Sequence, residues 1–292
     1  MLVVVSLIAF FSIRIIPGDP ARLVAGPEAS EEVVEAIRHD LGMDQSLIKQ
    51  YEQFIIKALQ FDLGRSVRTN EPVFNILMRR LPPTLQLALA SIALASILGL
   101  VIGVISAVLK GTWVDTVSMI IALFGISMPT FWSGLMMIWL FAVTLHWLPT
   151  GGYGSPLHFV MPTIVIGLQS TAVISRTIRT SMIEVLQEDY IRTARAKGVL
   201  ERNIVLFHAL RNSLIPTITV IGIQFGYLLA GSVVTETIFN WPGMGLQLIT
   251  SMGQRDYPVI QGAILLFALF FVITSLLVDI AYTYIDPRIA YE

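Results

Sequence analysis

The sequence predicts an all-α, polytopic membrane protein with six transmembrane helices, and three observations predict it. Hydrophobic residues fill 55% of the 292 positions and charged ones only 13%, where a soluble domain carries roughly a quarter charged residues. The mean hydropathy is +0.75. The charges are bunched between long apolar runs, the pattern of spanning helices joined by polar loops. A net charge of -1 leaves no basic excess for nucleic acid. The lack of cysteine excludes disulfides, thiolate metal sites and cysteine nucleophiles.

The first run, residues 2 to 16, has about fifteen mostly apolar residues, short of the roughly twenty an untilted spanning helix needs. It reads as the first helix, with a clipped start. A secretory signal is the competing reading, but no basic region precedes the run and no small-x-small cleavage site stands before Pro17. Residues 17 to 81 read as an extracytoplasmic amphipathic helical segment, opened by the helix-ending IPGDPARLVAGPEA. Ser30 caps a short helix with Glu31 and Glu32 in its first turn and Gly42 beyond its last. A second helix spaces Leu47, Tyr51, Phe54, Ile55 and Leu59 at helical intervals. Both are too polar to span, and are expected to pack on the bundle or lie on the bilayer surface.

The remaining runs, 84 to 108, 114 to 145, 160 to 182, 214 to 236 and 259 to 284, form a five-helix core within residues 82 to 292. Pro129, Pro162 and Pro216 interrupt three of them, and Gly99 with Gly103 makes a GxxxG pair suited to close helix packing. The loop from Arg176 to Arg211 holds seven Lys or Arg, whereas residues 146 to 158 hold none and 237 to 258 only Arg255. The positive-inside rule therefore places that loop, with Lys110, Arg288 and both termini, in the cytoplasm. The basic residues of the 17 to 81 segment do not overturn this, because long segments translocate largely regardless of charge.

The polar island between Glu184 and Pro216 is the most informative stretch. From Ile183 the apolar residues Ile183, Leu186, Tyr190, Ile191 and Ala194 fall at helical spacing, with Glu184, Glu188, Arg192 and Arg195 on another face. Glu188 and Arg192 stand at i,i+4. Gly198 ends this helix after Arg195 and Lys197, and a second short helix, about Glu201 to Leu210, leads to the next span at Pro216. A basic loop can simply rest on anionic lipid. The acidic residues and the small surface around Ala194, Ala196 and Gly198 favour docking into a protein groove instead.

Within the island, RTARAKG followed by His208 and Leu210 resembles the cytoplasmic loop signature of ABC importer permeases, Glu-Ala-Ala, three residues, Gly, nine residues, Ile-x-Leu-Pro. Ala194, Gly198 and Leu210 match it. Arg192 stands at the glutamate position, Thr193 at the second and Arg211 at the proline. DYIRTARAKG and HALRNSLIP resemble the B-type permeases of the dipeptide, oligopeptide, nickel and glutathione importers. So do LGMDQSLIKQY, DLGRS, RRLPPTLQLA, FNWPGMG, RDYPVIQG and the terminal DPRI, so the resemblance covers essentially the whole chain.

The resemblance implies a type I importer permease fold. It implies a heterodimer with a C-type permease, two ATPase subunits, an extracytoplasmic substrate-binding protein and surrounding membrane lipid. It also implies a coupling loop at 184 to 212, with Asp189, Tyr190, Thr193, Ala194, Arg195, Ala196, Lys197 and Gly198 against an ATPase. No GxxxxGK[ST] loop occurs, so the chain is not expected to be an ATPase: it holds no cofactor, and ATP and Mg belong to partners. His39, His146, His158 and His208 show no paired metal spacing. The polar or irregular residues Ser127, Met128, Pro129, Gln169, Ser170, Gln224, Ser232, Thr235 and Glu236 are expected at a pore or partner surface. Trp241 and Pro242, in a sharp external turn, are expected at the outer gate or docking surface. Dipeptides or oligopeptides are the first expectation for the substrate, then glutathione, then nickel. An ion-coupled secondary transporter is the competing class, weakened because Arg14, Asp115, Glu236 and Asp279 fall near span ends. An intramembrane hydrolase would need a His or Lys partner for Ser127, Ser170 or Ser232, and the sequence offers none nearby.

Overall fold

The structure is a computed structural model that describes residues 2–15, 21–22, 29–40 and 45–285. Gly42, Arg288, the DPRI segment and the start of the 17 to 81 segment lie outside the described residues. Among the described residues eleven main helices follow one another: α1 (Leu2–Ile15), α2 (Glu31–Asp40), α3 (Leu47–Leu59), α4 (Val73–Val108), α5 (Trp113–Ser127), α6 (Thr130–Met137), α7 (Pro156–Val185), α8 (Asp189–Ala196), α9 (Leu210–Ile238), α10 (Met244–Gln254) and α11 (Tyr257–Ile285). The described residues divide into two compact units, Met1–Thr84 with Pro242–Val272, and Leu85–Trp241 with Ile273–Glu292.

In the first unit, α3 turns the apolar face read from its spacing toward α1. The Phe10 ring lies 5.3 Å from Tyr51 and 5.7 Å from Phe54, and the hydroxyls of Ser6 and Tyr51 are 2.7 Å apart. The start of α4 packs Val73, Ile76 and Leu77 on Met244, Val259 and Ala263. Gly262 permits that approach, since a Cβ there would meet Val73 Cγ1 at 2.6 Å. Asp256 pins the turn before α4, accepting hydrogen bonds from Ser66 Oγ and from Val67 N at 3.2 Å.

The second unit is built on α7. The GxxxG pair lets α4 lie against it: added Cβ atoms would meet Ile174 Cγ2 at 2.7 Å from Gly99 and the Ser175 carbonyl at 2.6 Å from Gly103. Helix α9 crosses the same helix, with Gln224 Nε2 donating to Ser170 Oγ at 3.2 Å. His158 is a capping residue of α7, its Nδ1 accepting from the Ser155 backbone at 3.3 Å.

Four expectations need correction. The expected single span 114 to 145 is two helices, α5 and α6 with a π-helical extension Ile138–Thr144, bent by 102°. The cause is local: Pro129 has no N–H to donate, and it forces Met128 out of the helical region, to φ -79 and ψ 125. Helix α4 begins at Val73, not near 84, because its first turns are held in the core of the first unit and carry Pro82 and Pro83 along. Pro216 does not open a new helix: the chain is continuous from Glu201–Asn203 through a π-helical segment, Ile204–Ala209, into α9. Finally, α10 was not expected, since its sequence lies in a stretch read as an external loop.

The six expected spans correspond to four helices long and apolar enough to cross a membrane, the bent pair as a fifth, and α1. With 14 residues α1 is short of the roughly twenty a crossing needs.

Candidate coupling segment and transmembrane break

The residues read as a docking surface form a short helix and its C-terminal turn. Helix α7 ends at Val185, and Glu188 is extended at φ -65 and ψ 149. The island helix therefore starts at Asp189, not at Ile183, and the apolar spacing crosses a break. Asp189 lies in the first turn and Arg195 in the last, as the helix dipole favours. Gly198 ends it at φ +80, a conformation that any side chain would strain.

Ile191 is fully buried and anchors α8. Ala194 is half-buried, while Asp189, Tyr190, Thr193, Arg195, Ala196, Lys197 and Gly198 are exposed. Two side-chain bonds tie α8 to the chain leading into α9. Arg195 donates to both Glu201 carboxylate oxygens, at 3.1 and 2.7 Å, and this pairing raises its guanidinium above the ordinary arginine value. Asn212 Nδ2 donates to the Tyr190 hydroxyl at 2.6 Å. Tyr190 is thus a tether as well as a surface residue. Arg192 does not pair with Glu188, which sits outside the helix, but with Asp189 at 3.2 Å. What remains is a surface of paired charges with Lys197 exposed beside them, and with little side-chain freedom at its tethers.

The second feature is the α5 to α6 break. Ser127 and Pro129 are exposed and Met128 is half-buried. Ser127 Oγ donates back to the Leu123 carbonyl at 2.9 Å, which bends helices. Gln169 reaches Thr130 Oγ1 at 3.5 Å, so it stands beside the break.

The other residues expected at a path lie inside the chain. Ser170, Ser232, Thr235 and Glu236 are buried, with Ser232 Oγ donating to Glu236 Oε1 at 2.9 Å. Trp241 is fully buried, its ring edge-on to Tyr153 at 4.9 Å and Phe159 at 4.5 Å. Pro242 is half-buried, with its carbonyl 3.5 Å from Arg80 Nη1. Ser232, Glu236 and Trp241 are thus buried side chains of the second unit.

Sequence reasoning missed a buried polar cluster in the second unit, centred on Asp115. Asp115, 4% exposed, accepts from Arg179 Nε at 2.6 Å, from Arg179 Nη2 at 2.8 Å, from Gly111 N at 3.0 Å and from Ser106 Oγ. The available signal was an acidic residue in the first turn of an apolar run, which reads as a helix-end charge unless its partner far along the chain is known.

Residues 99–291 match the family described as binding-protein-dependent transport system inner membrane component, and residues 1–88 match its N-terminal region. The glutathione transport system permease protein GsiC of Escherichia coli strain CFT073 is 48% identical over 291 residues, covering 100% of this chain and 95% of the relative. The permease of the same name from Pectobacterium atrosepticum is 47% identical over the same length. Among solved structures, a chain of the inward-facing MetNI methionine ABC transporter matches 74% of this chain and 99% of its own, with a TM-score of 0.62 at 19% identity. A chain of an amino acid ABC transporter crystallised with histidines matches with a TM-score of 0.52 at 15% identity.

Proposed function

The chain belongs to the family of binding-protein-dependent transport system inner membrane components, and from that premise we propose that it forms half of the pore of an ATP-driven importer of small peptides, glutathione among them. The fold is that of a type I importer permease, and such a subunit is not itself an enzyme: it is a membrane pore component. The ion-coupled reading is thereby set aside. The observation that carries the peptide reading is full-length identity of 47 to 48% to glutathione permeases.

In this reading a C-type permease supplies the other half of the pore, a binding protein delivers substrate from outside, and two ATPase subunits bind ATP and Mg inside. The α8 surface, Asp189 to Gly198, docks on an ATPase. Ser127, Met128 and Pro129 at the break, with Gln224 behind them, face the translocation path. Ser232, Glu236, Trp241 and Pro242 act from behind it, holding the outer end of α9. Both termini are cytoplasmic. Because the chain has no cysteine, single cysteines at Tyr153 and Leu200 can be labelled in intact cells by an impermeant maleimide: label at 153 and none at 200 is expected, and the opposite result overturns the orientation.

Vesicles holding the complete complex and its binding protein should accumulate labelled glutathione or a dipeptide, with each competing for the other. Uptake of nickel alone, with no peptide competition, would overturn the substrate class. Replacing Ala194, Lys197 and Gly198 by bulky acidic residues should abolish substrate-stimulated ATP hydrolysis, and unchanged stimulation would remove α8 from the interface.

A further inference from the structure

The Asp115 cluster is placed where a coupling element has to be. Arg179 stands in the last turns of α7, the helix that leads into α8. Asp115 opens α5, which ends at the Met128 to Pro129 break. Ser106 is near the end of α4, and Gly111 lies in the turn between α4 and α5. A single carboxylate therefore fastens three helices and a turn, through four hydrogen bonds that include a two-pronged guanidinium contact.

The surrounding packing brings these helices close together. Gly103 sits where a Cβ would meet the Ser175 carbonyl at 2.6 Å, and Gly125 where one would meet the Leu168 carbonyl at 3.1 Å. Both are backbone contacts that side-chain rearrangement cannot relieve. A buried ion pair adds little net stability compared with apolar packing, because removing both charges from water offsets their attraction. What it fixes well is geometry, since a guanidinium and a carboxylate meet in few orientations.

We propose that Asp115 and Arg179 are positioning residues for transport, locking α5 to α7 so that displacement of the α8 segment reaches the Met128 to Pro129 break undiminished. The proposal rests on the reading of α8 as the ATPase-docking helix. With the lock intact, the coupling segment and α5 move as one body. Without it, α7 can shift while α5 stays, and ATP is hydrolysed without transport.

The test uses the complete complex in nanodiscs with spin labels at Leu200→Cys and Ile121→Cys, the chain having no other cysteine. The distance between the labels should be the same without nucleotide and with ATP trapped in the ATPase subunits. A change of about 5 Å, one helical turn of slip, overturns the proposal without any substitution in the pair. A second arm replaces both partners, D115N with R179Q, so that no buried charge is orphaned. Its melting temperature should stay close to the parent's while transport per ATP falls by about tenfold or more, the size of one coupling energy. R179K, which keeps charge but not the fork, should fall between. An unchanged ratio in the double variant assigns the pair to structure alone. If instead ATP hydrolysis ignores the Ala194, Lys197 and Gly198 replacements in the parent chain, the docking reading itself has failed, and this outcome is separable from both others.

Discussion

Two proline-bearing crossings in the same unit behave differently. Helix α7 carries Pro162 and runs unbroken for 30 residues, whereas the chain turns by 102° at Pro129. Each proline removes one backbone hydrogen bond and crowds the preceding turn, a cost of about 3 kcal/mol or more in a helix interior. The difference lies in the flanks. Pro162 is buried between Met161 and Val165, which pack on Ala142 and Phe239. Pro129 is exposed, between Ser127 and Phe131, which are exposed too. Pro216 is the intermediate case, exposed itself but flanked by the fully buried Ser213 and Thr217, and α9 stays continuous. The break falls where the proline and the side chains of Ser127 and Phe131 on either side of it are exposed.

Substitutions can break that contrast, and the largest effect is expected on the packed side. Phe239→Ala removes the ring under Met161 and Val165 and should cost about 3 to 5 kcal/mol in unfolding measurements. A loss below about 1 kcal/mol would mean that this packing does not hold α7. On the unpacked side, Pro129→Ala restores an N–H and should let α5 run on into α6. Transport in vesicles is expected to fall about tenfold, with spin labels at Ile121 and Trp139 moving apart; unchanged label distances would show that the bend does not depend on the proline. Pro162→Ala should change stability by less than about 1 kcal/mol in either direction, since the helix is already continuous through this position. Ser127→Ala, which deletes only the bond back to Leu123, should shift stability by about 0.5 kcal/mol or less and leave the bend in place.

The same contrast explains what could be read without coordinates. Apolar runs located α4, α7, α9 and α11, because lipid crossing imposes length and composition on any sequence. Pro129 was visible as an interruption, but Pro162 and Pro216 look the same in sequence, and only long-range packing separates them. Spacing of Tyr190, Ile191 and Ala194 correctly marked a helix in the island. Ile183 and Leu186 share that spacing by continuation of α7, so the helix start was misplaced. Gly198 at φ +80 was legible, since left-handed helix ends select glycine. The Asp115 to Arg179 pair was not: its partners stand 64 positions apart, and Arg179 had already been counted among the charges that set orientation.

The break has one more consequence, for the backbone rather than the side chains. Where α5 stops and α6 starts, the last carbonyls of one helix and the first amides of the next have no partners inside their own helices. Hydrocarbon cannot satisfy them, and at membrane depth such groups persist only beside protein or water. Ser127 and Pro129 are exposed within this chain, which leaves this stretch of main chain open to a second polypeptide or to water. The main chain thus offers polar groups at the break among exposed apolar side chains such as Phe124 and Phe131.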